Sequence, residues 1–408
     1  MRAVREIVPG APPPTGVIPL AVPDIGDAER AAVDEVLRSG WIAYGSHVDE
    51  FERQAAQRVG RRHAIGVASG TAALHVALLL AGVRPDDEVV VSTLTFASPA
   101  FAIAYVQAHP VLMDAERETW QIDPAKLAQF LRDECVLGEG GLRNRSSGRR
   151  IGALLPVSIL GHPADLDAVG ELAAQYELPV VEDAAEGLGA RCRDRPVGGF
   201  GDISCLSFNA NKIVTSAGGG MILTDDDAWA ERARYLIAQA KNDPLEYVHG
   251  EIGFNYRLSN VHAAIGVVQL SRLDEIVLTK RRIAERYREG FAGVAGIDVP
   301  PEAPWAFSTF WLYTIQVVPE EYGMESRELM HRLLEADIQV RPLWQPLHRS
   351  PALRHAQAYG GEAADELHRR GLSLPCSISL TDEEQDRVID EIARAPDAQR
   401  RRPTTIST

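Results

Sequence analysis

The chain has 408 residues, of which 45% are hydrophobic and 24% charged, as is typical of a soluble globular protein with one large domain or two of ordinary size. Its formal net charge of −15 argues against binding to nucleic acid or to a membrane surface, because both are polyanionic and repel an acidic protein. We therefore expect no nucleic-acid or membrane partner, and any anionic ligand needs a local cationic site.

Cysteine usage and the N-terminus indicate a reducing compartment. The cysteines are Cys135, Cys192, Cys205 and Cys376, and their spacing fits neither a zinc site nor a disulfide framework. No secretion pattern opens the chain, and the longest apolar region, residues 88–106, is broken by Ser, Thr and Pro99. The sequence predicts a cytoplasmic protein without a metal.

Between about Arg62 and Thr224, short apolar runs alternate with helical patterns. Runs that predict strands include HAIGVASG, DEVVVST, IGALLPVS, PVVED, ISCLSF and MILT, and helical patterns include TAALHVALLLAGV, PAFAIAYVQA and PADLDAVGELAAQYEL. Continuous apolar runs bounded by turns are typical of strands that are buried on both faces. This region is therefore predicted to form a largely parallel α/β sheet with helices on both sides.

After Asp225 the sequence becomes helical, and a second, smaller α/β region begins beyond Val299. The helical patterns are AWAERARYLIAQA, SNVHAAIGVVQLSRL and VLTKRRIAERYREGFAGV, and Ser259 or Asn260 is the expected N-cap of the second. The strand-like TFWLYTIQVV and the helical SRELMHRLLEAD follow. GEGGLRNRSSGRR is predicted to be a surface loop, and the terminal RRPTTIST a frayed tail.

These patterns suggest a division of the chain into two domains. We expect residues 31–280 to form a large ligand-binding domain and residues 281–408 a small C-terminal domain. Residues 1–30 are expected to form an N-terminal segment that joins the small domain.

One lysine stands out, because only four of the 42 Lys and Arg residues are lysines. Arginine stays protonated, whereas a desolvated lysine can lose its proton and condense with an aldehyde. Lys126 and Lys280 lie in amphipathic helical patterns and Lys241 in a polar loop, where a solvated charge is the ordinary explanation. Lys212, in SFNANKIVTSAGGG, follows a buried-looking strand and precedes a glycine run. It is a candidate catalytic amine; an exposed or phosphate-binding lysine is the alternative.

Other residues match the remaining needs of pyridoxal phosphate, which are a carboxylate for the ring nitrogen, a phosphate cradle and a ring-stacking side chain. Asp183 ends a predicted buried strand, where an open α/β sheet presents ligand-binding groups, although an N-cap or a turn would also explain it. Ser69, Gly70 and Thr71 lie between a strand and a helix and are able to receive phosphate or simply cap the helix. Phe96 is a candidate for stacking, or a core aromatic.

Longer motifs carry a resemblance to a known family. They are SGTAALHVALLLAGVRPDDEVVVSTLTF, GHPADLDAV, VVEDAAEGLGA, GDISCLSFNANKIVTSAGGGMILTDD and EIGFNYRLSNVHAAIGVVQLSRLDEI. Together they resemble the DegT/DnrJ/StrS family of nucleotide-sugar aminotransferases over residues 18–380. The resemblance implies a fold-type I aminotransferase with a mostly parallel seven-stranded sheet flanked by helices, a smaller C-terminal α/β domain, pyridoxal phosphate as cofactor, and a homodimer with shared active sites.

The resemblance also implies roles for single residues. Lys212 would form the Schiff base with the cofactor and shuttle the proton, Asp183 would pair with the ring nitrogen, and Phe96 would stack on the ring. The residues implied in holding the phosphate and its surroundings are Ser69, Gly70, Thr71, Ser207 and Asn209.

Three more residues follow from the same motifs. Asn255 would reach the phosphate of the neighbouring subunit, and Arg257 would bind an anionic group. Glu186 falls where many relatives carry Gln or His to contact the ring hydroxyl, and a carboxylate there can only accept a hydrogen bond unless it is protonated.

The blocks IPLAVPDIG, SGWIAYGSHVDEFE and RPLWQPLHRSP resemble the branch that aminates C4 of UDP-linked 4-keto-6-deoxy-N-acetylhexosamines, with L-glutamate as amino donor and 2-oxoglutarate as by-product. Arg341 and His348 are candidates for binding the nucleotide diphosphate, and exposed charges of no function are an equal alternative. The remaining alternatives are a GDP- or dTDP-linked ketosugar, a non-catalytic homologue that binds the cofactor, and an α/β small-molecule binder without pyridoxal phosphate.

Overall fold

The computed structural model of the protein describes residues 16–243 and 245–400, so the predicted C-terminal tail, residues 401–408, lies outside the described residues. In chain order the α-helices are α1 (Asp27–Ser39), α2 (Ser46–Val59), α3 (Gly70–Leu80), α4 (Ser98–Tyr105), α5 (Pro124–Gln129), α6 (Leu166–Gln175), α7 (Asp227–Ile237), α8 (Asn260–Ser271), α9 (Leu273–Phe291), α10 (Pro319–Tyr322), α11 (Ser326–Glu335), α12 (Glu362–Arg370) and α13 (Asp382–Arg400).

The strands are β1 (His63–Val67), β2 (Glu88–Ser92), β3 (His109–Met113), β4 (Cys135–Gly138), β5 (Gly141–Asn144), β6 (Ile151–Leu155), β7 (Val181–Asp183), β8 (Arg191–Cys192), β9 (Arg195–Pro196), β10 (Ile203–Ser207), β11 (Gly220–Thr224), β12 (Lys241–Asp243), β13 (Val248–His249), β14 (Ile297–Asp298), β15 (Ala306–Phe307), β16 (Tyr313–Val317), β17 (Arg341–Pro342), β18 (Gln357–Tyr359) and β19 (Gly371–Leu374).

The large sheet runs in the order β1-β11-β10-β7-β6-β2-β3-β18, with β6 and β7 joined by parallel bridges at Leu154–Val180 and Val157–Asp183. Only β11 runs antiparallel to its neighbours within this sheet. Every residue of β2 is buried, which explains its continuous apolar run. The predicted mostly parallel, seven-stranded sheet is therefore confirmed, and the short β18 adds an eighth strand at one edge.

A second, antiparallel sheet in the order β14-β16-β19-β17 packs with α11 and α12 in the C-terminal part of the chain, and α13 packs on α9 and α11. The N-terminal segment lies against this sheet, since Ile18 forms a parallel bridge with Ile338 and Leu20 O accepts the Cys376 N–H at 2.9 Å. The division of the chain at residues 30 and 280 stays a prediction.

Two local predictions were wrong in part. The glycine- and arginine-rich stretch, residues 138–150, is mostly exposed as predicted but is not simply a loop: it contains β5, which pairs with β4 in a hairpin and buries Leu142 between exposed neighbours. The two helical lysines are not free surface charges: Nζ of Lys126 is paired with the buried carboxylate of Asp114 although its side chain is 31% exposed, and Lys280 is 6% exposed. Amphipathic patterns locate the buried face of a helix only approximately, and long side chains reach across its edge.

The predicted N-cap of α8 is confirmed, because the Ser259 Oγ accepts the His262 N–H at 3.3 Å. All four cysteines are buried free thiols. Within the described ranges, we find no helix with both the length and the apolar character needed to span a bilayer.

Candidate active site

A cavity of about 560 Å³ lies at the carboxyl ends of the central strands, where the large sheet faces the second sheet. Ligands of open α/β sheets bind at this edge because the loops that follow the strands converge there. The predicted site residues that line the cavity are Ser69, Gly70, Thr71, Phe96, Asp183, Glu186, Ser207, Asn209, Lys212 and Arg341. They come from widely separated parts of the sequence, and the fold brings them together.

Lys212 is held between an acid and an aromatic ring. Its Nζ donates a hydrogen bond to Glu186 Oε1 at 3.1 Å and lies 4.1 Å from the centre of the Trp311 ring. The Trp311 Nε1–H donates to the carbonyl of Asn211 at 2.7 Å, which fixes the backbone beside the lysine. The lysine side chain is only 13% exposed, so its amine is partly desolvated and lies at the cavity wall.

Asp183 is the last residue of β7 and is 3% exposed. Its Oδ1 accepts the Ala185 N–H at 3.0 Å. Burial raises the pKa of Asp183 to about 7, and the Ala185 N–H and the nearby Lys212 ammonium oppose that rise. A cationic N–H group beside this carboxylate would keep it ionised, so the position suits the partner of a protonated ring nitrogen.

The N-terminus of α3 forms one end of the cavity. Ser69 is the N-cap, and its Oγ accepts the Ala72 N–H at 3.1 Å. A Cβ atom on Gly70 would lie 2.8 Å from the Ser207 Cβ, so only glycine lets the helix start this close to β10. The other first-turn N–H groups of a helix have no intrahelical acceptor and carry partial positive charge, which suits a phosphate.

Glu186 is positioned by an unusual loop. Its Oε2 accepts the N–H of Leu160, which has a φ of 59°, a left-handed conformation that is uncommon for a residue other than glycine. The loop is fixed by His162, whose Nδ1–H donates to Pro163 O at 2.8 Å and whose Nε2 accepts the Ala303 N–H at 3.1 Å. Burial lowers the pKa of His162, in keeping with this neutral, bridging role.

Three predicted residues are not among the described residues that line the cavity. Asn255 and Arg257 are exposed and take part in backbone bridges with Ala238 and Val67. His348 lies behind the loop that carries Phe96: its Nδ1 is 2.9 Å from the Thr93 Oγ1 and its Nε2 is 3.2 Å from Asp365. The described geometry thus gives His348 a place next to the loop rather than in the cavity, and its role stays a prediction.

Sequence reasoning missed several wall residues, above all Trp311, Trp344 and Leu160. Trp311 lies in TFWLYTIQVV, which reads as a strand, and periodicity does not show which face of the fold a tryptophan next to a strand will meet. Leu160 follows a strand in a loop that contains Gly161 and Pro163, and these two residues signal a turn without showing that Leu160 borders the cavity.

The residues present fit pyridoxal phosphate. The cavity holds an amine for its aldehyde, a buried carboxylate whose ionised form needs a cation, and a helix N-terminus that is close-packed around Gly70. Phe96 borders the same space, with 56% of its surface exposed.

Comparison with known proteins agrees with this geometry. A sequence model of the DegT/DnrJ/EryC1/StrS aminotransferase family matches residues 23–393. EpsN of Bacillus subtilis (strain 168), whose name describes a pyridoxal phosphate-dependent aminotransferase, is 38% identical over 376 residues, and the match covers 91% of this chain and 94% of EpsN. GDP-perosamine synthase of Escherichia coli O157:H7 is 34% identical over 369 residues, with 90% and 95% covered.

A solved structure agrees as well. DesV of S. venezuelae, determined in complex with a ketimine intermediate, superposes with a TM-score of 0.81 at 31% sequence identity, and the match covers 93% of this chain and 99% of DesV.

Proposed function

The chain belongs to the DegT/DnrJ/EryC1/StrS aminotransferase family, and on that premise we propose that it transfers the amino group of L-glutamate to C4 of a nucleotide-linked 4-keto-6-deoxy sugar. It is a pyridoxal phosphate-dependent sugar aminotransferase of fold type I. The proposed sugar is UDP-2-acetamido-2,6-dideoxy-4-ketohexose, an intermediate suited to bacterial glycan sugars. The observation that carries the amino transfer is the amine of Lys212, partly desolvated and facing the same cavity as the buried Asp183.

Lys212 is proposed to hold the cofactor and to move the proton. Pyridoxal phosphate supplies an aldehyde carbon that takes up an amino group and a ring that withdraws electrons from the bond being broken. Asp183 keeps the ring nitrogen protonated through its buried carboxylate. Once Lys212 is free, its amine would take the proton from the substrate carbon that bears the amino group and deliver it to the carbon that was the aldehyde of the cofactor. Glu186, 3.1 Å away, would hold the ammonium that exists between these two transfers.

The opposite end of the cofactor is proposed to lie at α3. Gly70 and Thr71 offer backbone N–H groups, and Ser69, Ser207 and Asn209 offer polar side chains at the same wall. Phe96 would cover one face of the ring, since its side chain borders the cavity and is half exposed.

A homodimer with shared sites is proposed because large apolar side chains remain exposed on the surface. Among the described residues, Leu245 and Ile252 are each 87% exposed, Trp41 is 74% exposed and Tyr247 is 67% exposed. Apolar surface of this extent is typical of an interface. Asn255, three residues from Ile252, is exposed and outside the cavity of its own chain, so the partner subunit's Asn255 would contribute to the phosphate site, with Arg257 beside it.

Both proposed substrates are anions, and Arg341 is positioned to bind them. It borders the outer part of the cavity, and its Nη1 donates to the carbonyl of Val340. In the described part of the chain, no carboxylate lies within salt-bridge distance of Arg341, so its charge is available to a carboxylate or a diphosphate.

A GDP-linked 4-ketosugar is the second candidate, because the chain is 34% identical to a GDP-perosamine synthase over nearly its whole length. A dTDP-linked sugar remains a further alternative. The three nucleotides differ in their base and, for dTDP, in the pentose, so the proposed amino transfer at Lys212 is the same for all three.

The test is an amination assay. Purified protein with pyridoxal phosphate and L-glutamate is offered UDP-, GDP- and dTDP-linked 4-keto-6-deoxy sugars, and products are identified by mass spectrometry. We expect amination of the UDP-linked acetamido sugar. Turnover of the GDP-linked sugar alone would replace the first candidate by the second, and no product from any of the three would refute the proposed transfer.

A further inference from the structure

Trp311 makes two distinct contacts with the segment that carries the catalytic amine. The face of its ring lies 4.1 Å from the Lys212 Nζ, within the range of a cation–π interaction. The edge of the same ring donates its N–H to the carbonyl of Asn211, the residue before Lys212. A single side chain from the second half of the protein therefore touches both the lysine amine and its backbone.

Trp311 is itself held rigidly. It is 3% exposed, and its carbonyl accepts a hydrogen bond from the Lys280 Nζ at 2.9 Å. Lys280 also donates to the carbonyl of Cys376 at 2.5 Å, which ties the tryptophan to the end of β19. Gly161 permits the close approach on the other side, since a Cβ there would lie 2.6 Å from the Trp311 N. The ring has little freedom to follow Lys212 if the lysine moves.

The contact is specific for a charged amine. An aromatic face attracts an ammonium through its quadrupole, and the attraction is greatest for tryptophan and for a desolvated cation. The Lys212 side chain is 13% exposed, and Glu186 offers a carboxylate oxygen to the same nitrogen. Trp311 and Glu186 thus form a receiving site for the free lysine ammonium.

We propose that Trp311 is a positioning residue that stabilises Lys212 in its free, charged state and thereby favours the form of the enzyme in which the amino group has been passed to the cofactor. This rests on the proposed function. When Lys212 holds the cofactor, its nitrogen is bonded to the cofactor and is no longer a free ammonium. The Trp311 ring therefore stabilises the pyridoxamine form of the enzyme relative to the pyridoxal form and shifts the equilibrium between them.

The test measures that equilibrium rather than a rate. Wild type, Trp311→Leu and Trp311→Phe are equilibrated with fixed ratios of L-glutamate and 2-oxoglutarate, and the pyridoxal and pyridoxamine forms are quantified from their absorbance bands. Loss of a cation–π contact is expected to shift the Leu equilibrium about 2- to 30-fold toward the pyridoxal form. Trp311→Phe keeps a ring face and is expected to shift the equilibrium less.

Three controls separate the outcomes. Trp229→Leu makes the same chemical change at a partly buried tryptophan on α7 that does not line the cavity, and should leave the equilibrium as in wild type. In the cofactor-free protein, Lys212 of the Leu variant should react faster with acetic anhydride, read by mass spectrometry. If Trp311→Leu does not fold, fluorinated tryptophan placed at position 311 weakens the ring quadrupole without changing its shape and should shift the equilibrium in the same direction.

Equal equilibria in wild type, the Leu variant and the fluorinated protein would overturn the inference about Trp311. That outcome differs from a failure of the proposed function, in which the wild type itself would show no conversion with L-glutamate.

Discussion

The buried carboxylate of Asp183 allows a test of the site that needs no substrate. Burial raises its pKa from 3.8 to about 7, so folding the cofactor-free protein above pH 4 requires the carboxylate either to bind a proton or to be buried ionised. As the pH rises, Asp183 therefore loses its proton in the unfolded chain before it does so in the folded protein. The contribution of Asp183 to stability is therefore neutral below pH 4, becomes unfavourable as the pH rises, and levels off above about pH 7.

The expected size is large. A shift of about 3 pKa units corresponds to roughly 4 kcal/mol at most, and the part that develops between pH 5 and pH 8 is about 3 kcal/mol. Asp183→Asn has nearly the same shape and does not titrate, so this pH-dependent part is absent from the variant. We expect the free energy of unfolding of cofactor-free Asp183→Asn, relative to wild type, to rise by about 3 kcal/mol from pH 5 to pH 8.

The assay is urea unfolding of both proteins at pH 5, 6, 7 and 8, followed by circular dichroism. Asp298→Asn, at an exposed position on β14, corrects for the general effect of removing a negative charge. Parallel profiles for wild type and Asp183→Asn would refute the reasoning, because they would mean that the carboxylate is not destabilised by its surroundings. Saturating pyridoxal phosphate should flatten the wild-type profile, since a cationic ring nitrogen compensates the ionised carboxylate.

Three other changes test separate parts of the site. Lys212→Ala should abolish amination and borohydride trapping of the cofactor on the chain; trapping at another lysine, read by mass spectrometry, would contradict the assignment. Gly70→Ala should lower the free energy of unfolding by about 1–3 kcal/mol because the new Cβ meets Ser207. The control Gly170→Ala, whose Cβ has nothing within 4 Å, should be neutral or stabilise by up to about 1 kcal/mol. Equal urea midpoints for the two variants would argue against close packing at Gly70. Ile252→Asp should yield monomers in sedimentation, and an unchanged dimer would remove this surface from the interface.

Much of the fold could be predicted because the central strands are buried on both faces. Their sequences are continuous apolar runs, and the polar residues Asp183 and Ser207 stand at their carboxyl ends, where the cavity lies. The start of α3 could be predicted for a similar reason, since Ser69 and Gly70 mark a helix N-terminus and Gly70 is required by its contact with β10. Buried strands and a helix N-terminus can be predicted from local sequence because they depend mainly on the residues within them.

Contacts between distant segments were not predictable in this way. Trp311 meets Asn211 across 100 residues of chain, and β18 joins the large sheet from the C-terminal part by pairing with β3. Neither has a periodic signature, since a three-residue strand is too short to show one and a single tryptophan has none. The position of His348 behind Thr93 is of the same kind, because the residue is polar and local sequence does not say which neighbour it will bind.

The scarcity of lysine pointed to Lys212. The structure shows, however, that lysine is also retained at positions with a purely structural role. Lys280 is buried with its ammonium on the carbonyls of Trp311 and Cys376, and Lys126 pairs with the fully buried Asp114. A compact ammonium fits such positions, whereas the planar, forked guanidinium of arginine does not. What separates Lys212 is its surroundings: one carboxylate, one aromatic face and an open cavity, in place of backbone acceptors that occupy the amine. A buried lysine is a candidate for amine chemistry when its nitrogen faces a cavity and contacts a carboxylate or an aromatic ring, because it is then free to move away and bind a ligand.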